Sequence, residues 1–236
     1  MYCCEALGLG LFMFFATLAV IVIEYPTLPV YTHIHSDLLR LFLVGLCMGI
    51  TAFFILTSSF GKRSGAHINP SVTIIQYRLG NLNKQDAIFY ILFQFIGGTL
   101  GMLLIFLLVP TYVRHPSVNF IVTQPGDCGV WVAFILEFLL SFILMATVLY
   151  SNSDRKLSKY TAYFVAALLM VFITFEAPFS GMSINPARSF ASCMVSGEWK
   201  GFWIYCIAPP LGMIAGELFI TKVLKRKLHK VTLQDD

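Results

Sequence analysis

Gly65-Ala66-His67-Ile68-Asn69-Pro70-Ser71 and Gly181-Met182-Ser183-Ile184-Asn185-Pro186-Ala187 follow one pattern, Gly-x-His/Ser-Ile-Asn-Pro-Ser/Ala, with their asparagines 116 positions apart. A seven-residue pattern recurring once in an apolar chain points to a duplicated membrane unit. Each copy also carries the chemistry of a helix start. An Asn side-chain oxygen accepts an orphan backbone N–H at the N-cap, and Pro suits the next position because its fixed φ fits and its missing N–H is not needed there. The pattern therefore predicts helices opening at Pro70 and Pro186.

Composition sets the solvent. Of the 236 residues, 58% are hydrophobic and 12% charged, and the mean hydropathy is +0.79. That is too little charge to cover a soluble globule, so the chain belongs in a lipid bilayer. The net charge of +4 is modest and lacks the basic face with interleaved aromatics that a nucleic acid would need. Six cysteines (Cys3, Cys4, Cys47, Cys128, Cys193, Cys206) are scattered without a CxxC or a nearby His. They suggest neither a disulfide framework nor a metal site and read as small buried apolar residues, with acylation of Cys3 and Cys4 the lesser alternative. No cofactor or catalytic constellation is suggested.

Working outward from the two copies, residues 6–23, 38–60, 86–109, 130–150, 160–175 and 200–223 are long and apolar enough to cross a hydrocarbon core. The first lacks the positive flank and cleavage site of a secretory signal. Residues 69–77 and 185–195 are about half that length and should re-enter the membrane and stop, which is tolerated only where the irregular backbone is buried in protein or faces water. The fold class expected is therefore all-α: a membrane protein with six transmembrane helices plus two re-entrant half-helices in an inverted repeat. A single domain fills 1–236, with one repeat over about 1–109, a connecting loop over about 110–129, a second repeat over about 130–224, and a polar tail over 225–236.

Six full spans fix which loops share a side. Lys62, Arg63, Arg78, Lys84, Arg155, Lys156, Lys159, Lys222, Lys225, Arg226, Lys227 and Lys230 fall on one face, and only Arg40, Arg114 and Lys200 opposite. The positive-inside rule makes the first face, with both termini, cytoplasmic. Trp131, Trp199 and Trp203 begin spans on the other face, as interfacial anchors do. Three spans per repeat invert the second copy, so the half-helices should meet N-terminus to N-terminus near the midplane. Gly97/Gly101 and Gly212/Gly216 are GxxxG pairs at nearly equal distances past their asparagines, and Gly45/Gly49 is a third, all marking close helix contacts.

Two facing half-helices place roughly half a positive charge each at one point, which repels cations. With each Asn oxygen held by its own helix, the amide NH2 of Asn69 and Asn185 would face the lumen and suit a permeant that accepts hydrogen bonds, such as water or a small alcohol. The competing reading makes both residues caps alone. Arg188, three residues beyond Asn185, shares its helix face. An arginine at membrane depth costs at least ~2.5 to 3.5 kcal/mol and normally faces a cavity or a partner.

The sequence resembles the aquaporin, or major intrinsic protein, family. GAHINPSVT and SGMSINPARSF are similar to its two NPA boxes (Asn69, Pro70, Ser71 and Asn185, Pro186, Ala187), the first departing by Ser71 where Ala is usual, and the similarity covers the whole six-span frame. The resemblance implies a passive channel for water and small uncharged solutes such as glycerol, not an enzyme, assembled as a homotetramer with one pore per subunit in a plasma or bacterial inner membrane. It implies that Glu5 and Glu137 brace the two re-entrant loops, a proton relay being the rival role, and that His67 and Ser183 line the pore or its mouth. Counted from the asparagines, the family's filter falls on Gly49 (or, one residue over, Met48), Ile173, Met182 and Arg188. Only Arg188 matches the water-selective pattern, and the small Gly49 implies a wider constriction. Yet Ser189 stands where glycerol facilitators carry Asp, and Tyr205-Cys206 is aquaporin-like in its aromatic but lacks the Trp expected beside it, so the choice among water, glycerol, another polyol, urea and a metalloid acid stays open. A proton-coupled transporter and a nearly closed junction protein are the alternatives from other classes. Glu176 and Glu217 are expected at wet span ends.

Overall fold

The computed structural model describes residues 1–226, so the expected placement of Lys227, Lys230 and the rest of the tail lies outside the described residues. Among the described residues the secondary structure is helical throughout. In chain order the helices are α1 (Tyr2–Glu24), α2 (Pro29–His33), α3 (Asp37–Thr57), α4 (Ser59–Ser64), α5 (Pro70–Arg78), α6 (Lys84–Leu108), α7 (Pro110–Val113), α8 (Val130–Asn152), α9 (Thr161–Ser180), α10 (Pro186–Ser196) and α11 (Phe202–Leu218). A π-turn, Phe219–Val223, continues α11. Six of these segments, α1, α3, α6, α8, α9 with its leading 3-10 turn, and α11 with its π-turn, are long and apolar enough to span a bilayer. The half-helices α5 and α10, of 9 and 11 residues, are too short.

The expected spans hold, with differences that have local causes. Helix α9 runs through Pro178 to Ser180 instead of ending near Phe175. Pro178 lies two residues before that end, so its missing N–H and its ring disturb only the last turn. Stretches read as loops contain single turns of helix: α2 and α7 each open on a proline at the first helical position, and α4 is capped by the Ser58 hydroxyl, which accepts from Gly61 N–H.

The bundle is held by close backbone approach at the paired glycines. A Cβ on Gly97 or Gly101 would collide with the carbonyl oxygens of Ala6 and Gly10, which joins α6 to α1. Gly212 and Gly216 abut the Phe138 and Phe142 carbonyls in the same way, joining α11 to α8. These two junctions are related by the repeat. Gly45 and Gly49 do something different: they seat α3 against α9, across the two halves, at the carbonyls of Met170 and Ala166. The outer surface is apolar, with Phe54, Leu107 and Trp131 each about two-thirds exposed in the isolated chain. The cysteines depart from expectation: Cys193 alone is buried, Cys4 is half-buried, and Cys3, Cys47, Cys128 and Cys206 lie on the outside. Cys47 on α3 and Cys206 on α11 point outward from spans and so meet lipid in a bilayer, where their apolar character is satisfied too.

Candidate functional site

The two repeated stretches fold alike. Gly65, Ala66 and Ile68 have φ of 82°, 44° and 42°, and Gly181, Met182 and Ile184 have 78°, 45° and 49°. Left-handed backbone is rare for a β-branched residue and persists only where the surroundings hold it. Here two carboxylates hold it. Glu5 accepts from the N–H groups of His67 (3.0 Å) and Ile68 (2.6 Å) and from the Gln94 amide (2.7 Å). Glu137 accepts from the N–H groups of Ser183 (2.7 Å) and Ile184 (2.6 Å) and from the Ser180 hydroxyl (2.7 Å). Both glutamates are fully buried.

Asn69 and Asn185 then open α5 and α10 as N-caps. The Asn69 oxygen accepts from Ser71 N–H at 2.9 Å, and the Asn185 oxygen from Ala187 and Arg188 at 3.1 and 3.3 Å. Their NH2 groups cross over: Asn69 donates to the Ile184 carbonyl at 2.7 Å and Asn185 to the Ile68 carbonyl at 2.8 Å. The two helix starts therefore meet tip to tip. One proton of each amide ties the tips together, which corrects the expectation that the whole NH2 group is free, and one proton of each remains. Pro70, Ser71, Pro186 and Ala187 are packed beneath, Ser71 and Ala187 with no exposed surface.

Two cavities flank the tips. One of about 1040 Å³ opens on the face that carries Lys62, Arg155 and Lys159 and reaches inward to His67, Asn69, Asn185 and Arg188. The other, about 480 Å³, opens opposite and is lined by Met48, Ile173, Met182 and Arg188. Phe12, Leu169, Ser183 and Arg188 border both, so the two cavities adjoin there. Arg188 is positioned by donating to the Ile121 carbonyl at 2.7 Å. That carbonyl sits in a turn where Asn119, Phe120 and Ile121 all have positive φ. His67 meets the Thr73 hydroxyl through its Nδ1 at 3.2 Å, and Ser183 donates to the Asn185 carbonyl at 2.9 Å.

Of the filter residues expected from sequence, Ile173, Met182 and Arg188 line the second cavity and Gly49 does not. A Cβ on Gly49 would point at the Ala166 carbonyl 2.6 Å away, and the neighbour on the passage is Met48. One residue of helix is about 100° of rotation, and that turn is taken by the α3–α9 contact. Phe12 was not singled out from sequence. It lies two turns past Glu5 on the same face, and Leu144, two turns past Glu137, lines the first cavity equivalently, so the repeat itself carried that signal. Glu217 is buried rather than wet: it accepts from Arg78 at the end of α5 at 3.0 and 3.2 Å. Glu176 is also buried, at 5% exposure, and neither of its carboxyl oxygens has a protein partner. At the outer rim Arg40 bonds to Glu24, to Asp37 and to the Ile34 carbonyl, and stacks over Tyr31.

Six spans around two tip-to-tip half-helices, related by an inverted repeat, define an integral membrane protein built about an axial passage. The family model for the major intrinsic protein matches residues 1–220, and the chain belongs to that family. Among similar proteins, Aquaporin-4 of Bos taurus is 29% identical over 184 residues, covering 75% of this chain and 55% of its own length. Aquaporin NIP1-1 of Arabidopsis thaliana is 33% identical over 177 residues, covering 73% and 59%. The matched region thus spans little more than half of these relatives. A solved aquaglyceroporin from Plasmodium falciparum shares the fold, with a TM-score of 0.80 over 94% of this chain and 95% of that one at 21% identity.

Proposed function

We propose that the protein is a passive channel for water and small uncharged solutes, glycerol among them, with ions and protons excluded. The observation that carries this reading is the junction of the Asn69 and Asn185 tips between two cavities that meet beside Arg188. Each Asn keeps one amide proton for a permeant oxygen, and both helix starts turn partial positive charge toward the same point. Glu5 and Glu137 are fully engaged as acceptors from the loops, which favours bracing over proton relay. The termini are assigned to the cytoplasm of a plasma or bacterial inner membrane, and the working unit to a homotetramer.

A larger neutral solute, a polyol, urea or a metalloid acid, is the second reading. It is favoured by the apolar lining that Met48, Ile173 and Met182 give the outer cavity, where a polar ring would grip water. Reconstituted protein followed by light scattering after an osmotic step tests both. Water flux above that of bare lipid, without current, supports the first reading. Solute flux above bare lipid with water flux at the lipid level supports the second. Flux that saturates and follows a pH gradient would overturn both.

A further inference from the structure

We propose that the larger cavity is also an anion-binding vestibule that takes a phosphate group and slows permeation when it is filled. Its mouth is lined by Lys62 on α4, Arg155 in the α8–α9 turn and Lys159 in the 3-10 turn before α9, with Thr57, Asn152 and Ser158 as neutral polar neighbours. Among the described residues no carboxylate lines it. The opposite mouth differs: there Glu24 and Asp37 lie beside Arg40 and bond to it.

A general excess of basic residues on one side of a membrane protein accounts for cations at the first mouth. It does not account for the missing acids, because among the described residues that side has four carboxylates, Asp154, Asp86, Glu217 and Glu5, and each is directed elsewhere. Asp154 accepts from the N–H groups of Lys156 and Leu157 in its own turn. Asp86 accepts from Tyr2 and Asn83, Glu217 from Arg78, and Glu5 from the first re-entrant loop. Among the described residues, Lys62, Arg155 and Lys159 form no ion pair, and Lys159 lies over the Tyr160 ring with its ammonium 4.9 Å from the centroid. Three exposed cations on the rim of a concave, partly apolar wall set a positive potential at its mouth. A phosphomonoester dianion, with several acceptor oxygens, suits such donors better than a monovalent anion. At about 1040 Å³ the vestibule has room for it in the path of any permeant. The source is either a soluble phosphate or a phosphorylated lipid headgroup at the membrane surface.

The flux part of this proposal rests on the channel reading, and the binding part does not, so the two are measured separately. Inorganic phosphate and pyrophosphate are titrated by calorimetry into the purified full chain at fixed ionic strength, against chloride. Saturable binding is expected, weakened about thirtyfold in the Lys62→Ala/Arg155→Ala double variant and unaltered in Arg114→Ala on the opposite face. Absent binding, or equal binding in the double variant, overturns the proposal even if the protein conducts water. Osmotic flux is then compared in neutral-lipid vesicles with and without pyrophosphate on both sides, and in vesicles containing phosphatidylinositol 4-phosphate. Slowing in the first arm alone identifies a soluble phosphate, and slowing in the lipid arm alone a headgroup. Binding without any basal flux would overturn the channel reading and leave the vestibule site standing. Basal flux that no arm slows would overturn the claim that a bound phosphate slows permeation.

Discussion

Two buried glutamates in neighbouring helices stand in opposite situations. Glu137 accepts two backbone N–H groups and a hydroxyl, while Glu176, in the helix that leads into the same loop, has no partner at either oxygen. Removing one acceptor from a buried network leaves its donors bare, at about 1 to 3 kcal/mol. Glu137→Gln, which keeps one acceptor oxygen, is therefore expected to lower the melting temperature in detergent and to slow osmotic flux. Glu176→Met is close in volume and replaces an unpaired polar group with an apolar one, so it should raise the melting temperature. A fall as large as that of Glu137→Gln would count against an unpartnered Glu176. Met48 is the third residue to test: Met48→Ala widens the outer constriction and is expected to speed glycerol more than water in proteoliposomes. An equal effect on both solutes would remove Met48 from the filter.

Helix pairing decides which of two adjacent residues reaches the passage. Gly49 is committed to the α3–α9 contact, where an added Cβ would sit 2.6 Å from the Ala166 carbonyl. Gly49→Ala must push the helices apart, and overpacking of this kind costs about 1 to 3 kcal/mol. The expected result is a lower melting temperature with solute preference unchanged, the reverse of the outcome at Met48, and a changed glycerol-to-water ratio with full stability would contradict it. The same contrast explains what could be read before any coordinates. The Asn-Pro starts were legible because capping is local chemistry, confined to a few neighbouring residues. The glycine pairs were legible as contacts but not in their partners: two join helices within a repeat and the third joins the halves. The choice between Gly49 and Met48 stayed open in the sequence because a count along the chain can slip by one residue, and one residue is about 100° of helix rotation. Glu217 and Glu176 were placed in water because a span end looks wet in one dimension; only the Arg78 bond across to α5 shows that Glu217 is enclosed. The helical turns at α2, α4 and α7 were too short to carry periodicity.

Across the whole molecule, the inverted repeat brings the starts of α5 and α10 together, and the guanidinium of Arg188 adds a third positive feature beside them along the same passage. The two helix starts contribute roughly +0.5 each, together about the charge of the arginine. At about 8 Å and an effective dielectric near 20, a unit charge raises the energy of a cation by about 2 kcal/mol, before the cost of shedding water. The barrier is thus shared between backbone and side chain, and no single substitution should abolish it. Arg188→Val removes the charged side chain among the four residues that border both cavities, together with its bond to the Ile121 carbonyl. Urea and glycerol flux should rise relative to water, while current across a planar bilayer stays at the level of bare lipid because both helix starts remain. A substantial cation current in this variant alone would move the barrier from the paired tips to the arginine. Unchanged solute ratios with no current would instead place Arg188 away from the narrowest point, and the constriction would have to be sought at Phe12 and Leu169.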